Sequence, residues 1–311
     1  MDEAIVIRPL RETDAEAVVA LYAEVAAVEP RLGPISLSQW QRFTKLPQNN
    51  ACRDFRVAER DGDLVGLAES SLRIESKPGA RFLKIVVAPS ARGRRIGLRL
   101  FDDVLAIDDP NGDISVMTLV SPEWQAGMAF VAALGFSHVE SEISMKCTEP
   151  MPPAEGNIAE RVAIERAGDA APYAADIARI HNRAYATDAS FRSYSAPEMA
   201  AIIDDYELWI VWHDGQLAGF CLVEPEHDSL WIESIAIDPA RQARGLGKSL
   251  LHHVLDAHAV SFNYPCWLNA SSKNPAALSM YRHLGFRPQH EACRFSATRR
   301  ELIASRDRRF R

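Results

Sequence analysis

Residues 235–251 read "IAIDPARQARGLGKSLL", and this stretch decides the fold. A short apolar run, Ile235–Ile237, ends at Asp238-Pro239, a pair that initiates turns. Gly245 and Gly247 follow, and from Lys248 onward the apolar spacing is that of an amphipathic helix. The stretch is therefore strand, turn, helix. Residues 85–101, "IVVAPSARGRRIGLRLF", lie on it without a gap, 150 positions earlier. Ile85, Pro89, Arg94, Gly97 and Leu100 recur as Ile235, Pro239, Arg244, Gly247 and Leu250. The same spacing carries "LGF" at 134–136 onto "LGF" at 284–286. Upstream, "RDGDLVG" (60–66) resembles "HDGQLAG" (213–219), each with Asp-Gly between apolar runs, which signals a hairpin.

The chain is two copies of one unit of ordinary domain size. We expect a first domain over 1–147, a Pro-rich, polar linker over 148–160 ("TEPMPPAEGNIAE") and a second domain over 161–311. The second copy predicts a strand at 161–167, helices over 170–185 and 196–206, a hairpin over 208–225, and a strand at 229–238. The turn and helix of the opening stretch follow. A strand at 266–271, a helix at 275–285 and a last strand at 292–298 complete it. Strands with flanking helices in this order make an α+β (mixed α/β) unit with a mostly antiparallel, twisted sheet.

The 311 residues are 47% hydrophobic and 25% charged, which excludes disorder and permits a sizeable core. A net charge of −7 argues against nonspecific nucleic-acid binding; the basic end "RRELIASRDRRFR" reads as a solvated charge run. Five scattered cysteines without CxxC spacing argue against a disulfide framework or a metal site and fit a reducing cytoplasm. No uncharged apolar run approaches the ~20 residues of a membrane helix, and the N-terminus lacks the features of a signal peptide. We expect a cytoplasmic monomer or homodimer with no nucleic-acid or membrane partner.

The turn Gln242-Ala243-Arg244-Gly245-Leu246-Gly247-Lys248 opens a helix, whose first N–H groups lack partners and whose dipole favours anions. Gly245 and Gly247 let backbone approach a phosphate closely, and Arg244 and Lys248 add charge. The spacing is neither the dinucleotide fingerprint nor a Walker loop. On its own the turn reads equally as a tight strand-to-helix connection. About thirty residues on comes "NPAALSMYRHLGFRP" (274–288). A strand, (Q/R)xxGx(G/A) and a helix, followed by Asn…Tyr…LGF, resemble the GNAT superfamily of acyl-CoA-dependent N-acyltransferases. Gln242, Gly245, Gly247, Asn274, Tyr281, Gly285 and Phe286 carry the match. With the repeat, the resemblance covers nearly the whole chain as two tandem GNAT-like domains, a layout found in that superfamily.

The resemblance implies an N-acetyltransferase moving acetyl from acetyl-CoA to a small-molecule or peptide amine by direct attack, without a metal. The pyrophosphate would lie on Gln242, Ala243, Arg244, Gly245, Leu246, Gly247, Lys248 and Ser249. The strand Ile235, Ala236, Ile237 would pair with the pantetheine arm, which Asn274 would also contact. Tyr281 would protonate the leaving thiolate; otherwise it is a packing aromatic five residues before Phe286. Glu233 interrupts an apolar strand and is the candidate base, or else an outward residue of a half-exposed strand. Tyr185, Phe191 and Tyr194 would line the acceptor pocket. His213 reads as solvated in its turn, and His252, His253 and His258 as surface or packing residues. The other functional class is a non-catalytic acyl-CoA-binding or regulatory module.

In the first copy Glu233 becomes Leu83, Gly245 becomes Arg95, Asn274 becomes Trp124 and Tyr281 becomes Val131. Chemistry is lost where packing markers stay, so this copy reads as a degenerate, non-catalytic domain. Arg92, Arg94 and Arg95 at a helix start leave an altered anion site as the second reading.

Overall fold

The computed structural model describes residues 5–309 apart from 30–31, 47–48, 74–78, 108–113, 151–160, 189–190 and 192, so most of the expected linker lies outside the described residues. Two compact units emerge. Unit 1 comprises Met1–Val120, Trp124–His138 and Phe295–Arg311; unit 2 comprises Ser121–Glu123 and Val139–Arg294.

Unit 1 runs β1 (Ile5–Pro9), α1 (Ala15–Ala26), α2 (Leu37–Lys45), α3 (Ala51–Asp54), β2 (Arg56–Arg60), β3 (Asp63–Arg73), β4 (Ala80–Val87), α4 (Ile96–Leu105), β5 (Ser115–Val120) and α5 (Gln125–Leu134). Strand β6 (Ser137–Cys147) then passes into unit 2. There follow β7 (Val162–Arg166), α6 (Ala174–Ala184), α7 (Ala196–Ile203), β8 (Glu207–His213), β9 (Gln216–Pro225), β10 (Leu230–Ile237), α8 (Leu246–Ala257), β11 (Cys266–Ser271), α9 (Pro275–His283), β12 (Arg287–Thr298) and α10 (Arg299–Arg309).

Unit 1 orders its strands β1-β2-β3-β4-β5, next to which lies the end of β12. Unit 2 is ordered β6-β11-β10-β9-β8-β7, with the start of β12 beside β6. Pairs β4–β5 and β10–β11 are parallel; the hairpin pairs β2–β3 and β8–β9 are antiparallel. Both hairpins turn on Asp-Gly with positive φ at both positions, 54° and 94° at Asp61-Gly62 and 54° and 69° at Asp214-Gly215. That is the turn whose twist matches the strands.

The compact units thus differ from the repeats. The last strand of the first repeat, β6, pairs with β11 (Cys266 opposite Cys147), and β12 ends in unit 1. Homologous strands carry the same alternation, and ladder bonds do not distinguish which copy fills a slot. Gly285, at φ 99°, seals the arrangement: a Cβ there would lie 2.4 Å from the Glu149 carbonyl oxygen just after β6.

The basic end, expected as a solvated run, is helical over Arg299–Arg309, with Arg300, Glu301 and Asp307 exposed. It is helix α10, with Leu302 fully buried, Thr298 and Glu301 bonded across its start, and Arg299 donating to the Leu105 carbonyl. The last strand is also longer than expected, starting at Arg287.

In unit 2, one sheet face packs Ile232, Ile237, Leu268 and Cys266 against α8 and α9. The other packs Phe220, Leu222 and Ala236 against α6 and α7.

Candidate active site

Strand β10 pairs with β11 only at Leu230, Trp231 and Ile232, opposite Cys266, Trp267 and Leu268. Beyond Ile232 the two strands part, while β10 stays paired with β9 down to Ile237. The result is a gap in the sheet edged by Glu233–Ile237.

At the mouth of the gap β10 bulges. Ile232 lies opposite Val223 and Ser234 opposite Leu222, so Glu233 is the extra residue without a ladder partner. The bulge puts Ile232 and Ile235 on the same face, towards α8 and α9. It also frees Glu233 from the apolar alternation and leaves its side chain exposed. Partial desolvation, and then the nearby Glu224 and Glu142 carboxylates, hold Glu233 above the usual carboxylate range.

The ladder fixes which backbone groups enter the gap. The Asp238 N–H bonds to the Ala218 carbonyl at 2.8 Å, so in the alternating antiparallel pattern Ser234 and Ala236 also face β9. Ile235 and Ile237 face the gap. Ala236, buried in the α6/α7 core, lends the gap neither its backbone nor its side chain. Both gap-facing carbonyls are taken: Gln242 Nε2 donates to Ile237 at 3.0 Å, and the Tyr185 hydroxyl donates to Ile235 at 2.9 Å. Among the described residues, the N–H groups of Ile235 and Ile237 remain as donors towards the gap.

The turn after β10 starts at buried Asp238, which accepts from Ala240 N–H and from Arg179 and Arg183 at 2.8 and 3.0 Å. Ala243 and Gly245 take left-handed conformations, φ 61° and 79°. A Cβ at Gly245 would meet open space. The first bond of α8 runs from Ser249 N–H to Gly245, leaving the N–H groups of Leu246, Gly247 and Lys248 at the helix start, near Arg244. Gln242 thus braces the turn with its side chain. Asn274 likewise uses its side-chain oxygen as the cap of α9, accepting from Ala277 at 3.0 Å.

Tyr281 on α9 is buried, its ring 5.8 Å from Phe286. Burial, then the neighbouring Tyr185 hydroxyl and Cys221 thiol, push it up. On the α6 side, His181 stands amid the three aromatics named from the sequence: ring centroids lie 4.8 Å from Tyr185, 5.1 Å from Tyr194 and 6.3 Å from Phe191. The sequence reading missed His181. Its spacing of four from Tyr185, on one helix face, was the available signal. Burial pushes its pKa down, so it is neutral at pH 7. Asn182 pins this cluster, exchanging bonds with the backbone of Tyr194 at 2.9 Å each. The Tyr185 hydroxyl is bonded to the Ile235 carbonyl and contacts Ser234, and burial pushes it up to about 12.

Glu224, Glu233, Glu142 and Asp188 form an acidic surround, with half-buried Trp231 and Trp267 paired across β10 and β11. Burial, then Asp188 and Glu140 against the opposing pull of Arg294, raises Glu142. A polar cavity of about 500 Å³ is lined by Arg179, Arg183, Trp212, Asp238 and Arg241. His213, expected in solvent, is buried and 3.0 Å from Arg241. His258 bonds Glu207 at 2.9 Å, and His253 packs on Trp209. Among the described residues no His, Cys, Asp and Glu side chains group as a metal site requires.

Unit 1 keeps the frame. Strand β4 pairs with β5 only from Ala80 to Phe82, and Arg92 Nε braces the Val87 carbonyl at 3.1 Å as Gln242 braces Ile237. Its turn has the same two left-handed positions, Gly93 at φ 75° and Arg95 at 60°. The glycine has moved, so Arg95 bends the backbone as Gly245 does rather than breaking it. The bulge, however, is gone: β3 and β4 pair in unbroken register, with Leu83 opposite Ser70. Trp124 starts α5 without a side-chain cap and folds its ring over Gly127.

The Acetyltransferase (GNAT) family model matches residues 21–136 and again 174–286. The [Ribosomal protein bS18]-alanine N-acetyltransferase of Salmonella typhimurium is 36% identical over 73 residues, 24% of this chain; the match spans about half (49%) of that relative's length. Mycothiol acetyltransferase of Nocardia farcinica is 24% identical over 309 residues, covering 94% of this chain and 98% of its own. Among solved structures, a tandem GNAT protein from the clavulanic acid biosynthesis pathway superposes with TM-score 0.73 at 16% identity, over 95% of this chain and 99% of its own, which shows a shared fold. With the family pattern matched twice over most of its length, this chain belongs to the GNAT family of acetyltransferases.

Proposed function

We propose that unit 2 transfers acetyl from acetyl-CoA to the nitrogen of a cationic small-molecule or peptide amine, and that unit 1 does no chemistry. The observation that carries this reading is the bulge of β10, which sets one carboxylate, Glu233, beside a strand edge with two free donors. A carbonyl-rich, extended arm fits a gap whose own carbonyls are already bonded. The α8 N-terminus with Arg244 and Lys248 suits a pyrophosphate. The donor supplies an activated acyl thioester; everything else falls to this chain.

Glu233 takes the proton of the ammonium, directly or through a water, because an alkylammonium of pKa about 10.4 is no nucleophile. Its raised pKa makes it the stronger base once ionised. Burial holds the proton on Tyr281, and in this reading its hydroxyl is the acid that faces the departing thiolate. Cys221 and Cys266 are fully buried, and burial raises both thiols, so neither suits a covalent intermediate. The acidic surround of Glu224, Glu142 and Asp188 favours a cationic acceptor, and the His181–Tyr194–Phe191 cluster offers it an apolar wall. The names of two relatives point to unlike products, mycothiol in one and an alanine of a ribosomal protein in the other, so the amine panel spans small molecules and peptides.

The test is CoA release from acetyl-CoA across panels of cationic, neutral and anionic amines. Turnover with cationic amines, lost on Glu233→Gln and Tyr281→Phe while acetyl-CoA still binds, is the expected result. Acetyl-CoA binding without turnover on any amine would favour a regulatory binder. Calorimetry is expected to find one acetyl-CoA per chain; two would overturn the assignment of unit 1.

A further inference from the structure

The ring of Tyr185 lies against His181, but its hydroxyl is turned onto the strand edge. It donates to the Ile235 carbonyl at 2.9 Å and contacts Ser234 Oγ at 3.1 Å, so it grips the two residues that follow the bulge. Tyr185 ends α6, while Ser234 and Ile235 lie on β10, so the contact ties the helix of the His181 cluster to the edge of the gap.

The two copies separate what this bond is for. Both keep the first brace: Gln242 holds the Ile237 carbonyl, and Arg92 holds the Val87 carbonyl. That brace therefore belongs to the turn. Among the described residues the second brace is found in one copy. The turn and helix Glu12–Ala26 match Ala171–Ala184, which brings Ala26 close to the place of Tyr185, and alanine has no hydroxyl to give. The copy with the bulge and Glu233 has the brace; the copy with regular β4 lacks it.

A β-edge normally offers donors and acceptors in alternation. Gln242 and Tyr185 each hold one of the two gap-facing carbonyls of Ile235–Ile237, so on this stretch the N–H groups are the ungripped partners. Resting on the acetyl-CoA reading above, we propose that Tyr185 is a positioning residue: by holding the Ile235 carbonyl it fixes the segment after the bulge so that the Ile235 N–H meets the thioester carbonyl oxygen. The same N–H then faces the charge that develops on this oxygen during attack, where an already oriented donor acts most strongly.

Tyr185→Phe removes the hydroxyl and keeps the ring against His181. Calorimetric titration of the full chain with acetyl-CoA and with CoA, which lacks the thioester carbonyl, separates this role from a general loosening. The expected result is a Kd for acetyl-CoA raised about threefold to tenfold, the range of one hydrogen bond, with the Kd for CoA unchanged. Steady-state kinetics on an accepted amine should show kcat falling further than that. Equal weakening of both ligands would mean a structural role and overturn the proposal, as would unchanged binding of both. If the unaltered protein binds neither ligand, the acetyl-CoA reading fails as well. If it binds both and Tyr185→Phe is silent, only the positioning role fails.

Discussion

Glu233 illustrates how much a single residue can and cannot disclose. Its charge inside an apolar strand was legible in the sequence. The bulge that turns it to use was not, because a bulge is a mismatch between two strands and is invisible in the periodicity of either one. Its raised pKa gives a pH signature. The base works when ionised, so kcat/KM should fall as pH drops through the Glu233 pKa, with the acidic limb above the ordinary value of about 4.3. Glu233→Gln should lower kcat by about 100-fold or more and erase that limb, within the usual range for a general base. A limb that survives the substitution would remove Glu233 from the role. His181 stayed unseen in the sequence for the opposite reason: a lone histidine on a helix gains meaning only when Phe191 and Tyr194 fold back onto it.

At the scale of elements, the strand–turn–helix of each copy was legible because glycine spacing and apolar runs are local properties. What the side chains do there was less so. Asn274 was expected at the ligand, and it is first of all the cap of α9. Asn274→Ala should therefore destabilise the fold by about 1 kcal/mol, the ordinary worth of such a cap, and Asn274→Ser should restore the melting temperature. Acetyl-CoA affinity that stays low in the serine variant would show a ligand contact besides the cap. Arg95 can be argued the same way. It holds a left-handed conformation that costs a non-glycine residue about 1 kcal/mol, so Arg95→Gly should leave unit 1 at least as stable. It should not create a second active site, because β4 has no bulge and Leu83 remains in the ladder. A second equivalent of acetyl-CoA bound by Arg95→Gly would overturn that view.

For the whole molecule, two domains of GNAT type were legible from the repeat, since a gapless match over a motif leaves little freedom. The exchange of β6 was not, because β6 and β12 follow the same motif and either satisfies the pattern. Expression of 161–311 alone tests the exchange: without β6 the edge of β11 is left unpaired, and Met145 and Cys147 leave the core. That fragment should be insoluble or melt far below the full chain in thermal unfolding, whereas supplying β6 by starting at residue 137 should recover solubility. Equal solubility of the two fragments would mean that β6 is dispensable.

The placement of β12 and α10 also orders events at the ribosome. Most of unit 1 is made first, yet Phe295–Thr298 and Leu302, which complete it, are translated only after unit 2. At about 5–20 residues per second, β5 waits on the order of ten seconds with its edge uncovered. Over that interval the nascent first half is a natural client for chaperones, and the arrival of the end of β12 and of α10, rather than the end of the first repeat, completes unit 1.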